Sequence, residues 1–100
     1  MGLSVIRHIS VRGRVLGVGF RAFVEHEALK HGVGGWVRNR RDGTVEAVFS
    51  GEGAAVAAAV DACRRGPFGA RVDALYEDGG SADDLKLIRP GEAFSVLPTA

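Results

Sequence analysis

Gly13, Gly17 and Gly19 fall within the nine-residue stretch Gly-Arg-Val-Leu-Gly-Val-Gly-Phe-Arg, which separates an alternating, strand-like run from one with helical spacing. No other stretch restricts the fold as much. Glycine lets backbone N–H groups converge where side chains would crowd them out, and a helix starting at Phe20 adds roughly half a positive charge at its first turn. A loop of that kind is suited to an anion. Arg21, at the mouth of the helix, supplies a planar, permanently charged fork that matches a phosphate-like group.

Before the loop, Val5, Arg7, Ile9 and Val11 alternate with Ile6, His8, Ser10 and Arg12. This alternation predicts a strand over Ser4–Arg12 with one better buried face. After the loop, Phe20, Phe23, Val24 and Ala28 keep helical spacing as far as His31, and Gly32 marks the stop. Val33–Arg41 and Thr44–Ser50 read as strands joined by a tight hairpin at Asp42-Gly43. Val56, Ala59, Val60 and Cys63 repeat at i, i+3, i+4 and i+7, giving a second helix closed by Gly66-Pro67. Ala70–Glu77 reads as a fourth strand, a polar Gly/Asp-rich connection follows, and Phe94–Leu97 offers a short fifth strand.

The order β-α-β-β-α-β is that of an α+β, ferredoxin-like sandwich, an antiparallel sheet with two helices on one face. No repeat or linker divides the 100 residues, so residues 1–100 are expected to form a single domain. In this topology the first and second strands run in the same direction. Their C-terminal ends share one edge of the sheet, which brings the Gly13–Phe20 loop and Asn39 to one corner.

Thirteen Lys and Arg against twelve Asp and Glu leave a formal charge of +1, too little for a global field that gathers nucleic acid. The positive charge is uneven, however. Arg12, Arg14, Arg21, Arg38, Arg40 and Arg41 all lie in the first half, a bias that suits a small anionic substrate. The longest apolar run, Ala54–Val60, is far short of a membrane span. The N-terminus has no apolar signal segment, and Gly2 is not set in a myristoylation motif. The single cysteine, Cys63, excludes an intramolecular disulfide and a multi-thiolate metal site, and predicts a buried, inert thiol. The expected setting is a cytoplasmic monomer with no membrane, no nucleic-acid partner, no metal and no cofactor.

The pair of motifs GRVLGVGFR and GWVRNRRDGTVEA resembles the acylphosphatases, small single-domain enzymes that hydrolyse carboxyl-phosphate anhydrides. The resemblance spans nearly the whole chain in size, element order, glycine loop and Asn-bearing second strand. It implies an α+β ferredoxin-like fold and a small-molecule acyl phosphate as substrate. It also implies that the backbone amides of Val15, Leu16, Gly17, Val18, Gly19 and Phe20, with Arg21, hold the phosphoryl group, and that Asn39 positions the attacking water. One departure stands out: Leu16 occupies a place where the family's usual loop carries glutamine. Its backbone N–H remains available, so phosphate binding is expected to survive with altered loop rigidity or activity.

Other readings fit less well. Gly17-x-Gly19-x-x-Ala22 imitates part of a dinucleotide fingerprint, but Asp42 falls in a hairpin turn rather than at a strand end facing a ribose. No Gly-Lys-Ser/Thr is present, which removes a P-loop. An RNA- or protein-interaction module on the same fold lacks the aromatic RNP run, and a non-catalytic anion-binding domain is the remaining alternative. Arg38, Arg40 and Arg41 read as a solvated hairpin face with a secondary role in guiding substrate, and Trp36 as packing. His8, His26 and His31 read as structural or surface residues. Glu25 and Glu27 are expected to face solvent, with Glu27 able to pair with His31.

Overall fold

The computed structural model describes residues 3–100; Met1 and Gly2, the position weighed for lipid attachment, lie outside the described residues. The elements run β1 (Ser4–Arg14), α1 (Phe20–Lys30), β2 (Gly34–Asn39), β3 (Val45–Glu52), α2 (Gly53–Arg65), β4 (Arg71–Gly79), a 3-10 helix (Ala82–Leu87) and β5 (Phe94–Val96). The sheet order is β4-β1-β3-β2-β5. β3 is antiparallel to both β1 and β2, so β1 and β2 point the same way and end at the same edge. β5 adds to β2 in parallel, with Gly35 opposite Phe94 and Val37 opposite Val96. Among the described residues, no helix is long and apolar enough to cross a membrane.

Alternation sorts the strands into two faces. Ile9, Val11, Val37, Val45, Ala47 and Phe49 point to the helices, where Phe20, Val24, Ala28, Val56, Ala59, Val60 and Cys63 close the main core. Cys63 is fully buried, and burial, with a smaller push from the Glu27 carboxylate, raises its thiol to about 12. Glu27 itself departs from the solvent-facing expectation. It lies beside Phe23, Val24 and Ala28 on the packed side of α1, its side chain is only 12% exposed, and its carboxylate comes within 4.0 Å of the His31 ring.

β1 continues two residues beyond the expected strand. Its pairing with β4 shifts between Arg12 and Gly13, and at Gly13, with φ 136°, a Cβ would meet the Arg71 carbonyl oxygen at 2.1 Å. Only glycine permits this approach, so the strand bends there without breaking and delivers Arg14 to the loop. The β2–β3 hairpin is wider than a two-residue turn. The Arg40 N–H donates to the Thr44 carbonyl at 2.8 Å and the Gly43 N–H to the Arg40 carbonyl at 3.1 Å, while the Asp42 carboxylate accepts from both the Thr44 N–H and hydroxyl.

The face away from the helices is not bare. Trp36, Val48 and Leu97 form a second cluster with Ile6, Leu85 and Ile88, roofed by the 3-10 helix. The Trp36 indole N–H donates to the Asp84 carbonyl at 2.6 Å. Beside this cluster Glu46 accepts from Arg38 Nε and bonds the His8 ring, both at 2.7 Å, with Arg40 Nη1 at 3.2 Å and Asp78 3.3 Å from the other His8 nitrogen. Arg38 therefore departs from the solvated-face expectation: its guanidinium lies 4.7 Å from the Trp36 ring centre and its charge is paired. Trp36 packs as expected, 2% exposed.

Candidate active site

The loop between β1 and α1 contains the positions at which the backbone leaves ordinary strand or helix geometry. Gly17 has φ 73°, and Gly19, the residue that precedes α1, has φ 75° and ψ 26°. Both values lie in the left-handed region where a side chain is costly, and they turn successive N–H groups toward a common space. Gly19 offers no side chain to cap α1, and no acidic residue stands in the helix's first turn. Among the described residues, the N–H groups of Leu16 to Phe20 have no backbone acceptor; the first bond of the helix is from the Phe23 N–H to the Gly19 carbonyl. The amides at the start of α1 are thus left free where the helix dipole is most positive.

Arg21 follows directly. Its Nη1 donates to the Leu97 carbonyl at 3.3 Å, which ties the guanidinium to the segment after β5, and it forms no ion pair with a carboxylate among the described residues. Asn39 ends β2 on the same face as Val37, so its side chain points to the helix side of the sheet. Its backbone carbonyl accepts from the Ala100 N–H at 3.0 Å, and the Arg41 N–H donates to the Ala100 carbonyl at 2.8 Å. The C-terminal segment thus fixes the end of β2.

These groups meet in a pocket of about 550 Å³ lined by Val15, Gly17, Gly19, Phe20, Arg21, Ala22, Glu25, Asn39, Arg89, Glu92 and Val96. The structure brings Arg21 and Asn39 together with Val15, Gly17, Gly19 and Phe20. Leu16 and Val18 are not part of the wall: Leu16 is 43% exposed on the outer side of the loop, and Val18 packs against the main core. Among the described residues no three His, Cys, Asp or Glu side chains gather as metal ligands would.

Three charged residues of the wall had no signal in the sequence pattern. Glu25, expected to face solvent, is half-buried one helical turn beyond Arg21. Arg89 and Glu92 come from the connection before β5. The Arg89 N–H donates to the Ser95 hydroxyl at 2.9 Å, its Nη1 to the Val96 carbonyl at 3.0 Å, and the Ser95 hydroxyl donates to Glu92 at 2.6 Å. The only clue available was Phe94–Leu97 as a strand, and its parallel pairing sets the chain just before Phe94 at the Gly35 end of β2; the Arg89 guanidinium is tied instead to the Val96 carbonyl, at the end of β5.

The arrangement can hold a tetrahedral dianion against backbone donors and a guanidinium, with a neutral amide beside it. Comparison with known proteins points the same way. A family model described as Acylphosphatase matches residues 7–85. An acylphosphatase of Rhodopseudomonas palustris (strain BisB18) is 58% identical over 96 residues, covering 96% of this chain and 97% of that protein. The crystal structure of an acylphosphatase from Bacillus subtilis superposes with a TM-score of 0.80 at 34% identity, over 95% of this chain and 99% of the other. Full-length HypF, solved in a phosphate- and nucleotide-bound form, contains a region that covers 99% of this chain and 12% of its own length, with a TM-score of 0.82. At 23% identity, that likeness is one of fold alone.

Proposed function

The chain belongs to the acylphosphatase family and hydrolyses acyl phosphates, and on that premise we propose that Arg21, the amides of Val15–Phe20 and Asn39 carry the reaction. The supporting observation is that Val15, Gly17, Gly19 and Phe20 of the loop line one pocket with Arg21 and Asn39, beside loop amides that have no backbone acceptor. An acyl phosphate is already activated, because it releases a weakly basic carboxylate. What remains is to neutralise the phosphoryl oxygens and to place water in line, which is positioning and electrostatics.

The loop amides and Arg21 supply fixed dipoles and a full charge. Asn39 is neutral and orients water through its amide without repelling the dianion. Water oxygen bonds to phosphorus while the bond from phosphorus to the acyl oxygen breaks. The electron pair leaves with the acyl oxygen as carboxylate, and one proton of the attacking water passes to a phosphoryl oxygen. The products are a carboxylate and dihydrogen phosphate, so charge and atoms balance.

We place the enzyme as a single-domain cytoplasmic monomer acting on a small acyl phosphate without nucleic acid or cofactor; the formal charge of +1 supports the absence of a polyanion partner. The test is benzoyl phosphate hydrolysis in excess EDTA, beside folded Arg21→Ala and Asn39→Ala. Turnover that survives chelation and fails in both variants supports the assignment. A folded wild type that binds inorganic phosphate without turnover would leave an anion-binding domain instead.

A further inference from the structure

We propose that Arg89 contacts the acyl carboxyl of the substrate and takes up the negative charge that gathers on it as the phosphorus–oxygen bond breaks. The inference rests on the acyl phosphate reading and extends it from the phosphoryl end of the pocket to the leaving-group end.

Sheet order separates the two ends. The phosphate loop leaves β1, Asn39 ends β2, and β5 lies on the far side of β2. Arg89 and Val96 line the same pocket as Asn39 and the loop, and an acyl group extending from the cradle toward the β5 side meets Arg89 and Val96. The position of the guanidinium is held. Its Nη1 sits on the Val96 carbonyl, while Arg21 sits on the next carbonyl, that of Leu97. Both guanidiniums are thus tied to carbonyls of the same two-residue segment, Val96–Leu97, at the wall of one pocket.

Arg89 has donors left over. One of its five N–H groups is used, and it forms no ion pair with a carboxylate among the described residues. Glu92, its neighbour in the wall, is instead bonded by the Ser95 hydroxyl. With Arg21 committed to the phosphoryl oxygens, Arg89 is the remaining wall cation, and it offsets Glu25 and Glu92 where a carboxylate must form. A donor already in place at a developing charge needs no reorganisation during the reaction.

The test compares Arg89→Gln and Arg89→Lys with wild type on two substrates. Acetyl phosphate releases the more basic carboxylate and 4-nitrobenzoyl phosphate the less basic one, so help to the leaving group matters more for the first. Arg89→Gln should lower kcat/KM for acetyl phosphate roughly tenfold and for 4-nitrobenzoyl phosphate about threefold or less, with Arg89→Lys between. Competitive inhibition by inorganic phosphate, which has no acyl group, should stay within about twofold. Equal losses on both substrates, or a matching weakening of phosphate inhibition, would overturn the role of Arg89 while leaving the hydrolase intact. A wild type inactive on both substrates would overturn the function itself.

Discussion

The two helices lie on the same face of the sheet and begin in opposite ways. Before α2, Glu52 is extended, and its carboxylate accepts the Ala54 and Ala55 N–H groups, each at 3.2 Å. Before α1, Gly19 is left-handed and brings no side chain, and the loop amides ahead of the helix stay unbonded. With glycine at this position, the helix forgoes only about a few tenths of a kcal/mol that Ser, Asp or a similar residue would supply. One helix satisfies its own end, whereas the other leaves its donors unbonded. The difference separates a self-capped helix start from the one we propose holds the phosphoryl group.

Arg21→Ala should show the largest effect. It removes the guanidinium in the first turn of the uncapped helix, so kcat/KM should fall by about 10³-fold or more and phosphate inhibition should weaken in parallel. Asn39→Ala should separate the two quantities. It leaves the amides and Arg21 in place, so kcat should fall about 10²-fold while phosphate inhibition changes by less than about threefold. Steady-state kinetics with inorganic phosphate as inhibitor measures both. Equal behaviour of the two variants would erase the distinction between holding the phosphoryl group and placing water.

The contrast between the helix starts was half legible in the sequence. The α1 end was readable because its strand, left-handed glycines, helix start and arginine are neighbours within nine residues. Asn39 joined it because the order of elements places the ends of β1 and β2 at one edge. Arg89 and Glu92 were not readable, because their place in the pocket depends on β5 pairing with β2, between residues far apart in the chain such as Gly35 and Phe94, and on the bonds that fold Arg89 back onto Ser95 and Val96. The same distance hid the roof over Trp36, which depends on Leu85 and Ile88 in a stretch whose composition suggests only a polar loop. Arg38 looked solvated for a related reason. Its partner Glu46 is fixed by strand register, with Arg38 directly opposite Glu46 across β2 and β3.

Glu46 extends the comparison to the far face of the sheet, where polar groups are bonded instead of left free. Burial alone would raise its carboxyl, but the bonds from His8 and Arg38, with the charges of Arg38 and Arg40, more than offset this and hold it below the ordinary carboxylate range. The folded state therefore favours the ionised form. Its contribution is complete above the ordinary value of 4.5 and disappears as pH falls through the lower folded value. Glu46→Gln should cost about 2 kcal/mol at neutral pH, less than a fully buried pair because the arginines are partly solvated. Denaturant titrations should show this gap hold steady down to about pH 5 and narrow below it. Phosphate inhibition should not change, since the side chain points away from the pocket.

Glu52→Ala carries the smallest expected effect and bears most directly on the two helix starts. The variant gives α2 the uncapped condition that α1 has naturally. Two N–H groups lose a carboxylate partner, but they lie at an exposed site where water replaces it, so the cost should be about 1 kcal/mol in denaturant titrations. If an open helix end were enough to bind phosphate, Glu52→Ala would gain a second phosphate site detectable by titration calorimetry. No such gain is expected. The α2 start has neither left-handed glycines to gather the amides nor an arginine in its first turn, whereas α1 has Gly17, Gly19 and Arg21 together. Binding at α2 would show that the dipole suffices; its absence would show that the α1 site requires the loop geometry and the guanidinium as well.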